Sequence, residues 1–385
     1  MTLYLNRRYG VFMNTIYGLI CVVFMFLYMV GELTTINGAF ELLTDVNPLV
    51  PVIVLAAVVT IYSSFGGVYA SLITDAFQSV FALVLIIMTS ITIAVNIKIP
   101  QGAIENVGLL KPTKVGWVTI YVMIIALLSS AMFHQGFWQR AFASKNNRDL
   151  RISTYIGGSI VFILFTLVGI FGLLAAWSGT WSADSDILGY QSYFTLLATM
   201  PSWVIAITVV IITCLACSAL DTCMCAMIAS INDLTYQKMS LRVIRVLVLV
   251  IMIPVVVVSL KQIDVLKIFL LADLMSSATF IPIFIGLIHQ FSFIEEFDAC
   301  VGAIGGILSV GIFGTIYYGN AKDGWGLLML PDGLYMDDYS VLGAFLAAPI
   351  GSLIFTGLGF CLRSVFLRFF PRKQQVEQSS EMQKI

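Results

Sequence analysis

Ten apolar runs, each long enough to cross a bilayer, take up most of this chain. A hydrocarbon core about 30 Å thick needs roughly 20 helical residues. Runs of that size fall near 11–33, 48–66, 75–97, 116–138, 152–177, 201–233, 242–260, 264–289, 299–318 and 340–366. They predict an all-α, multi-pass membrane protein of about ten transmembrane helices. With 59% hydrophobic and 11% charged residues and a mean hydropathy of +0.99, the 385-residue chain is excluded from the soluble globular class. A net charge of −1 gives no reason to expect a nucleic-acid partner. The run at 201–233 exceeds one crossing and is expected to tilt or to extend beyond the membrane.

Residues 1–385 read as one transmembrane unit, with a polar tail at 367–385 expected to be disordered. The longest loops are 179–200 and 319–339, and Tyr190 to Met200 could form a short interfacial helix. Lys and Arg accumulate on the cytoplasmic side. The N-terminus, alternate loops and tail hold 14 of the 20 basic residues, so both termini are expected to be cytoplasmic. Glu295, Glu296 and Asp298 make one loop on that side acidic, against the trend. No cleavable signal is expected, because the first span is too long for a signal core. Most of the seven cysteines lie in apolar spans, where they pack as small hydrophobes. Gly302 with Gly306, and Gly157 with Gly158, are expected to let helices approach closely.

Polar residues inside spans carry the functional information. Ser218, Asp221, Thr222 and Cys225 share one helical face in 201–233, and Asp221 lies about 18 Å from Asp233, near the midplane. Asp273, Ser276 and Ser277 do the same in 264–289. Ser129, Ser130, His134, Gln135 and Trp138 populate 116–138. Plainer roles exist for each: a hydroxyl can bond its own i−4 carbonyl, and His134 can bridge helices. Glu32, read as the outer end of the first span, is expected to meet water. An ionised aspartate at the bilayer centre costs at least about 2.5 kcal/mol, so Asp221 and Asp273 need a partner, a cavity or a proton. Two histidines in the chain make a soft-metal site at Cys214, Cys217, Cys223 and Cys225 unexpected, leaving a monovalent cation as the candidate ion. No His-Glu-x-x-His, phosphate-binding loop or catalytic triad suggests an enzyme, and no cofactor is expected.

Tyr62-Ser-Ser-Phe-Gly66-Gly67-Val-Tyr-Ala70-Ser-Leu-Ile-Thr74-Asp75-Ala-Phe-Gln78 joins two spans through paired glycines followed by a carboxylate. It resembles a signature of the solute:sodium symporter family. So do Leu5-Asn-Arg7-Arg8-Tyr9-Gly10, the loop from Gln135 to Lys145, and Cys217-Ser218-Ala219-Leu220-Asp221-Thr222 running on to Asn232-Asp233-Leu234-Thr235-Tyr236. The resemblance covers residues 1 to about 290. It implies a LeuT-type fold of two inverted five-helix repeats, with sites at the midplane where helices break. The first three spans would then be the last three helices of repeat one, whose first helices would lie upstream of Met1.

By this resemblance Ser218, Asp221, Thr222, Asp75 and Gln78 bind the cation, and Asp75 with Thr74 and Gln78 lies on its cytoplasmic exit. Ser130, His134, Gln135, Trp138, Asp273 and Ser277 are assigned to the solute path. Thr74 and Asp75 could instead cap a helix beginning at 75. Ala219 stands where the family pattern has a second hydroxyl, so proton coupling through Asp221 or Asp273 competes with sodium. The expected activity is cation-coupled symport of a small polar solute at the plasma membrane. A regulatory or non-transporting membrane protein is the alternative.

Overall fold

A computed structural model of the chain describes residues 2–235, 238–261, 263–335 and 337–369. Tyr236, at the end of the Asn232 motif, and residues 370–385 of the expected tail lie outside them. The helices are α1 (Thr2–Arg8), α2 (Val11–Leu43), α3 (Leu49–Asn96), α4 (Ala103–Val107), α5 (Lys114–Phe133), α6 (Gln135–Phe142) and α7 (Asn147–Ser178). They continue with α8 (Ser192–Ala198), α9 (Ser202–Leu234), α10 (Leu241–Ser259), α11 (Val265–Ile285), α12 (Glu296–Tyr318), α13 (Ala321–Gly326) and α14 (Ser340–Phe369). Among the described residues, nine of these are long and apolar enough to cross a membrane.

Nine helices hold the ten expected crossings because α3 contains two of them. Its 48 residues would span about 72 Å if straight, more than twice a hydrocarbon core. Gly67 breaks it, with φ 54° and ψ −148°, a conformation essentially confined to glycine. Thr74 and Asp75 consequently sit inside a helix and cap nothing, which corrects the N-cap alternative. The short helix expected within Tyr190–Met200 is α8.

α2 and α9 are both 33 residues long and pack antiparallel. A side chain at Gly18, near the start of α2, would meet Leu234 at the end of α9, while Glu32 shares a small cavity with Ala216 and Ala219. Tyr17, Phe24, Met25 and Met29 of α2 are fully buried, so this pair forms the axis of the largest core cluster.

One end of the bundle gathers the N-terminal segment, the end of α9, the α11–α12 connection and the last turns of α14. Thr2 donates to Asp233 at 2.5 Å, and Arg8 donates to the carbonyls of Gly286, Ser292 and Ile294. The acidic loop that opposed the charge trend is neutralised here. Arg363 pairs with Glu295 at 2.5 Å and Asp298 at 2.8 Å, and Glu296 accepts the open amides of Phe12 and Met13 at the start of α2. A side chain at Gly302 would run into Thr356 and one at Gly306 into the Ala278 carbonyl, so these glycines do set close helix packing. Gly157 and Gly158 do not: nothing lies within 4 Å of where their side chains would stand.

Candidate functional site

The break at Gly67 turns the chain around one carboxylate. Asp221, 0% exposed on α9, accepts from Ser71 Oγ at 2.6 Å and Thr222 Oγ1 at 3.3 Å on one oxygen. Its other oxygen accepts from Tyr62 OH at 2.5 Å and Thr74 Oγ1 at 3.3 Å. Tyr62 precedes the break and Ser71 and Thr74 follow it. A hydroxyl donates one proton, and that of Thr74 is shared with the Ser71 and Ala70 carbonyls at 2.9 and 3.1 Å, so Tyr62, Ser71 and Thr222 are the donors that Asp221 does not share with a carbonyl as close.

One turn away on α9, the other predicted cation ligands form a second cluster. Asp75 is ion-paired with Arg140 and accepts from Ser218 Oγ on its other oxygen. Arg140 also donates to Thr222 Oγ1 at 2.7 Å and to the Gly136 carbonyl at 3.2 Å. An internal guanidinium thus neutralises Asp75. Gln78 donates to the Cys214 carbonyl at 2.9 Å, and its Oε1 is buried without a partner.

Arg140 belongs to α6, which a break at His134 separates from α5. The expected single helix over 116–138 is therefore two helices. Such a break opens the carbonyls of the preceding turn, which in lipid must find donors. The Met132 carbonyl accepts from Tyr17 OH at 3.0 Å and from Trp138 Nε1 at 2.9 Å, and Gln135 donates to Tyr17 OH at 2.8 Å. Gln135 and Trp138 support the break rather than face open space.

A cavity of about 710 Å³ lies between α2, α3, α5, α6, α7 and α9. It brings together Asp75, Gln78, Ser130, His134, Ser218 and Thr222 of the residues expected from sequence. Asp221, Gln135, Trp138, Asp273 and Ser277 are not on its wall. Asp273, 4% exposed, accepts from Tyr28 OH at 3.2 Å and stands behind it, and Ser277 donates to the Leu274 carbonyl of its own helix. Sequence reasoning missed Tyr28, Arg140 and Phe137, and it placed Glu32 in water. α2 continues to Leu43, so Glu32 lies eleven residues inside its end and lines the cavity. The i, i+4 spacing of Tyr28 and Glu32 was the available signal. The described residues hold no group of three or more His, Cys, Asp or Glu side chains able to bind a metal.

Long antiparallel helices, with α3 broken at Gly67 and α5 broken from α6 at His134 beside a shared polar cavity, have the form of a secondary transporter with broken helices. The fold matches a solved Na⁺-coupled sialic acid symporter in a substrate-bound outward-open state. The TM-score is 0.65 at 16% identity, over 92% of this chain and 77% of that one. The chain is also 38% identical over 376 residues to the spermidine transporter DUR31 of Candida albicans (strain SC5314 / ATCC MYA-2876), covering 97% of this chain and 72% of that protein. It is 31% identical over 134 residues to the sodium/proline symporter of Staphylococcus aureus, 34% of this chain and 26% of that one. No protein-family model matches it. The chain belongs to the solute:sodium symporter family, a multi-pass membrane transporter and not an enzyme.

Proposed function

We propose that the chain couples sodium entry to uptake of a small polar solute across the plasma membrane by alternating access, with both termini in the cytoplasm. One observation carries this reading: Arg140 on the broken helix occupies Asp75, beside Ser218 and Thr222, at the wall of a solute-sized cavity. A cation entering there competes with the guanidinium for Asp75. Displacing Arg140 frees α6 to move relative to α3 and α9, so ion occupancy biases one conformation over the other. Hard oxygens from Asp75, Ser218, Thr222 and Gln78 suit sodium. The clustering of basic residues on the N-terminal side supports the orientation.

The named relative DUR31 favours an amine as the solute. Proton coupling is the second reading, favoured by Ala219, which offers no hydroxyl to complete a sodium shell. Purified full-length protein in proteoliposomes, given spermidine and an imposed gradient of either ion, separates them. Uptake that follows the sodium gradient is expected. Uptake driven by pH alone selects proton coupling, and uptake indifferent to both gradients, or none at all, overturns symport.

A further inference from the structure

We infer that Glu32 is the binding residue for the ammonium group of an aliphatic amine, held at the junction of two cavities in the middle of the bundle. This deepens the proposed transport function and rests on it for the solute's route, while its binding test stands apart from coupling.

The chemistry follows from what the cavity wall lacks. Glu32 has no hydrogen-bond or ion partner among the described residues, unlike Asp221 with its surrounding hydroxyls, Asp75 with Arg140 and Ser218, and Asp273 with Tyr28. Two other polar atoms of residues on the same wall are buried and unpartnered, Gln78 Oε1 and His134 Nδ1. His134 Nε2 lies 4.0 Å from Cys223 Sγ. The Glu32 carboxylate and Gln78 Oε1 are acceptors, so a ligand that donates complements them. A protonated amine donates up to three hydrogen bonds and brings a positive charge to offset the Glu32 carboxylate.

Size and lining separate an organic ammonium from a bare metal ion. At about 710 Å³ the cavity falls in the range of small-molecule sites. Its aromatic side is built by Tyr28, His134 and Phe137, with His134 stacked on Phe137 at 4.4 Å and edge-on to Tyr28 at 5.8 Å. Such rings accommodate methylene chains and attract cations. A second cavity of about 300 Å³ continues along the same face of α2 past Thr35, Ile36 and Ala39. Glu32, Leu215 and Ala219 border both cavities. Ala219 places only a methyl group on this shared wall, and among the described residues Glu32 is the one carboxylate lining both cavities.

The test measures spermidine binding to the purified full-length protein by calorimetry in sodium buffer, for wild type, Glu32→Gln and Glu32→Asp, with thermal unfolding checked for each. Removing one partner of a desolvated charge pair is expected to weaken spermidine binding about 30-fold or more in Glu32→Gln, with partial recovery in Glu32→Asp and no loss of folded protein. No spermidine binding by the wild type overturns the proposal, as does equal affinity in wild type and Glu32→Gln. A Glu32→Gln protein whose sodium requirement shifts while its spermidine affinity holds also overturns it, because Glu32 would then serve the coupling ion. Gradient-driven uptake in the same preparations reports separately on symport: amine binding without ion-driven uptake removes the transport reading and leaves the binding site.

Discussion

α2 and α9 are equal in length, packed antiparallel, and each carries a carboxylate about two-thirds of the way along, Glu32 in one and Asp221 in the other. Their surroundings are opposite. Asp221 is fully enclosed and surrounded by the hydroxyls of Tyr62, Ser71, Thr74 and Thr222. Glu32 faces two cavities and takes no donor among the described residues. A buried carboxylate needs a partner, a ligand or a proton; Asp221 is partnered from within, and under the binding proposal Glu32 is partnered by what enters. Depth in the membrane, which the two share, does not distinguish a structural acid from a binding one; the donor count does.

The largest expected effect falls on the enclosed member. Asp221→Ala strands Ser71, whose hydroxyl has no other acceptor, and removes the acceptor that joins both sides of the Gly67 break. Bonds to a charged group are worth about 1.5–3 kcal/mol each, so a loss of about 3 kcal/mol is expected, read as a large fall in the detergent unfolding temperature. Glu32→Gln should leave that temperature unchanged or raise it, since it removes a charge without partners among the described residues. Equal destabilisation by the two variants would break the comparison.

Arg140→Gln acts between these extremes. It deprives Asp75 of its internal cation, leaving the carboxylate to sodium without a competitor. Half-saturating sodium should fall, and turnover should fall on the order of tenfold because nothing remains to couple ion release to α6. Arg140→Lys keeps the charge without the planar fork and should lie in between. Uptake kinetics against sodium concentration check both; an Arg140→Gln protein with unchanged sodium dependence and turnover removes the exchange at Asp75.

Much of the architecture was legible because hydrocarbon tolerates so few solutions. Spans such as 201–233 and 299–318 match α9 and α12 closely, and paired glycines at 66 and 67 marked the turn in α3. Three features were not legible. The first span reads as ending at 33 with Glu32 meeting water, yet Thr34 and Thr35 return their hydroxyls to the Val30 and Gly31 carbonyls at 2.8 and 2.9 Å and the helix continues. The break at His134 has no proline to announce it. It depends on Tyr17, 115 residues earlier, reaching the Met132 carbonyl. Arg140 was counted among the loop charges that set orientation, and only the fold brings it to Asp75.

Gly67→Ala sharpens the account of Asp221 at smaller cost. No atom lies within 4 Å of the added methyl, so the penalty is that of the backbone alone, about 1–3 kcal/mol for a φ of 54° with ψ −148°. The turn exists to bring Tyr62 and Ser71 onto one carboxylate, so the penalty should shrink in an Asp221→Ala background, where that convergence has no object. A double-mutant cycle of unfolding temperatures tests it, and strict additivity would separate the turn from the acid.

Tyr17→Phe is the mildest test and probes the other break. It removes the hydroxyl that donates to the Met132 carbonyl at 3.0 Å and accepts from Gln135 at 2.8 Å, while Trp138 Nε1 continues to serve that carbonyl at 2.9 Å. With one donor remaining, the cost should be about 1 kcal/mol. His134 lies two residues beyond Met132 and contributes its ring to the cavity wall. A loosened break should therefore weaken spermidine binding less than Glu32→Gln does, because ring placement is disturbed while the carboxylate stays. Binding lost as completely in Tyr17→Phe as in Glu32→Gln would move recognition from the acid of α2 to the geometry of the α5–α6 junction.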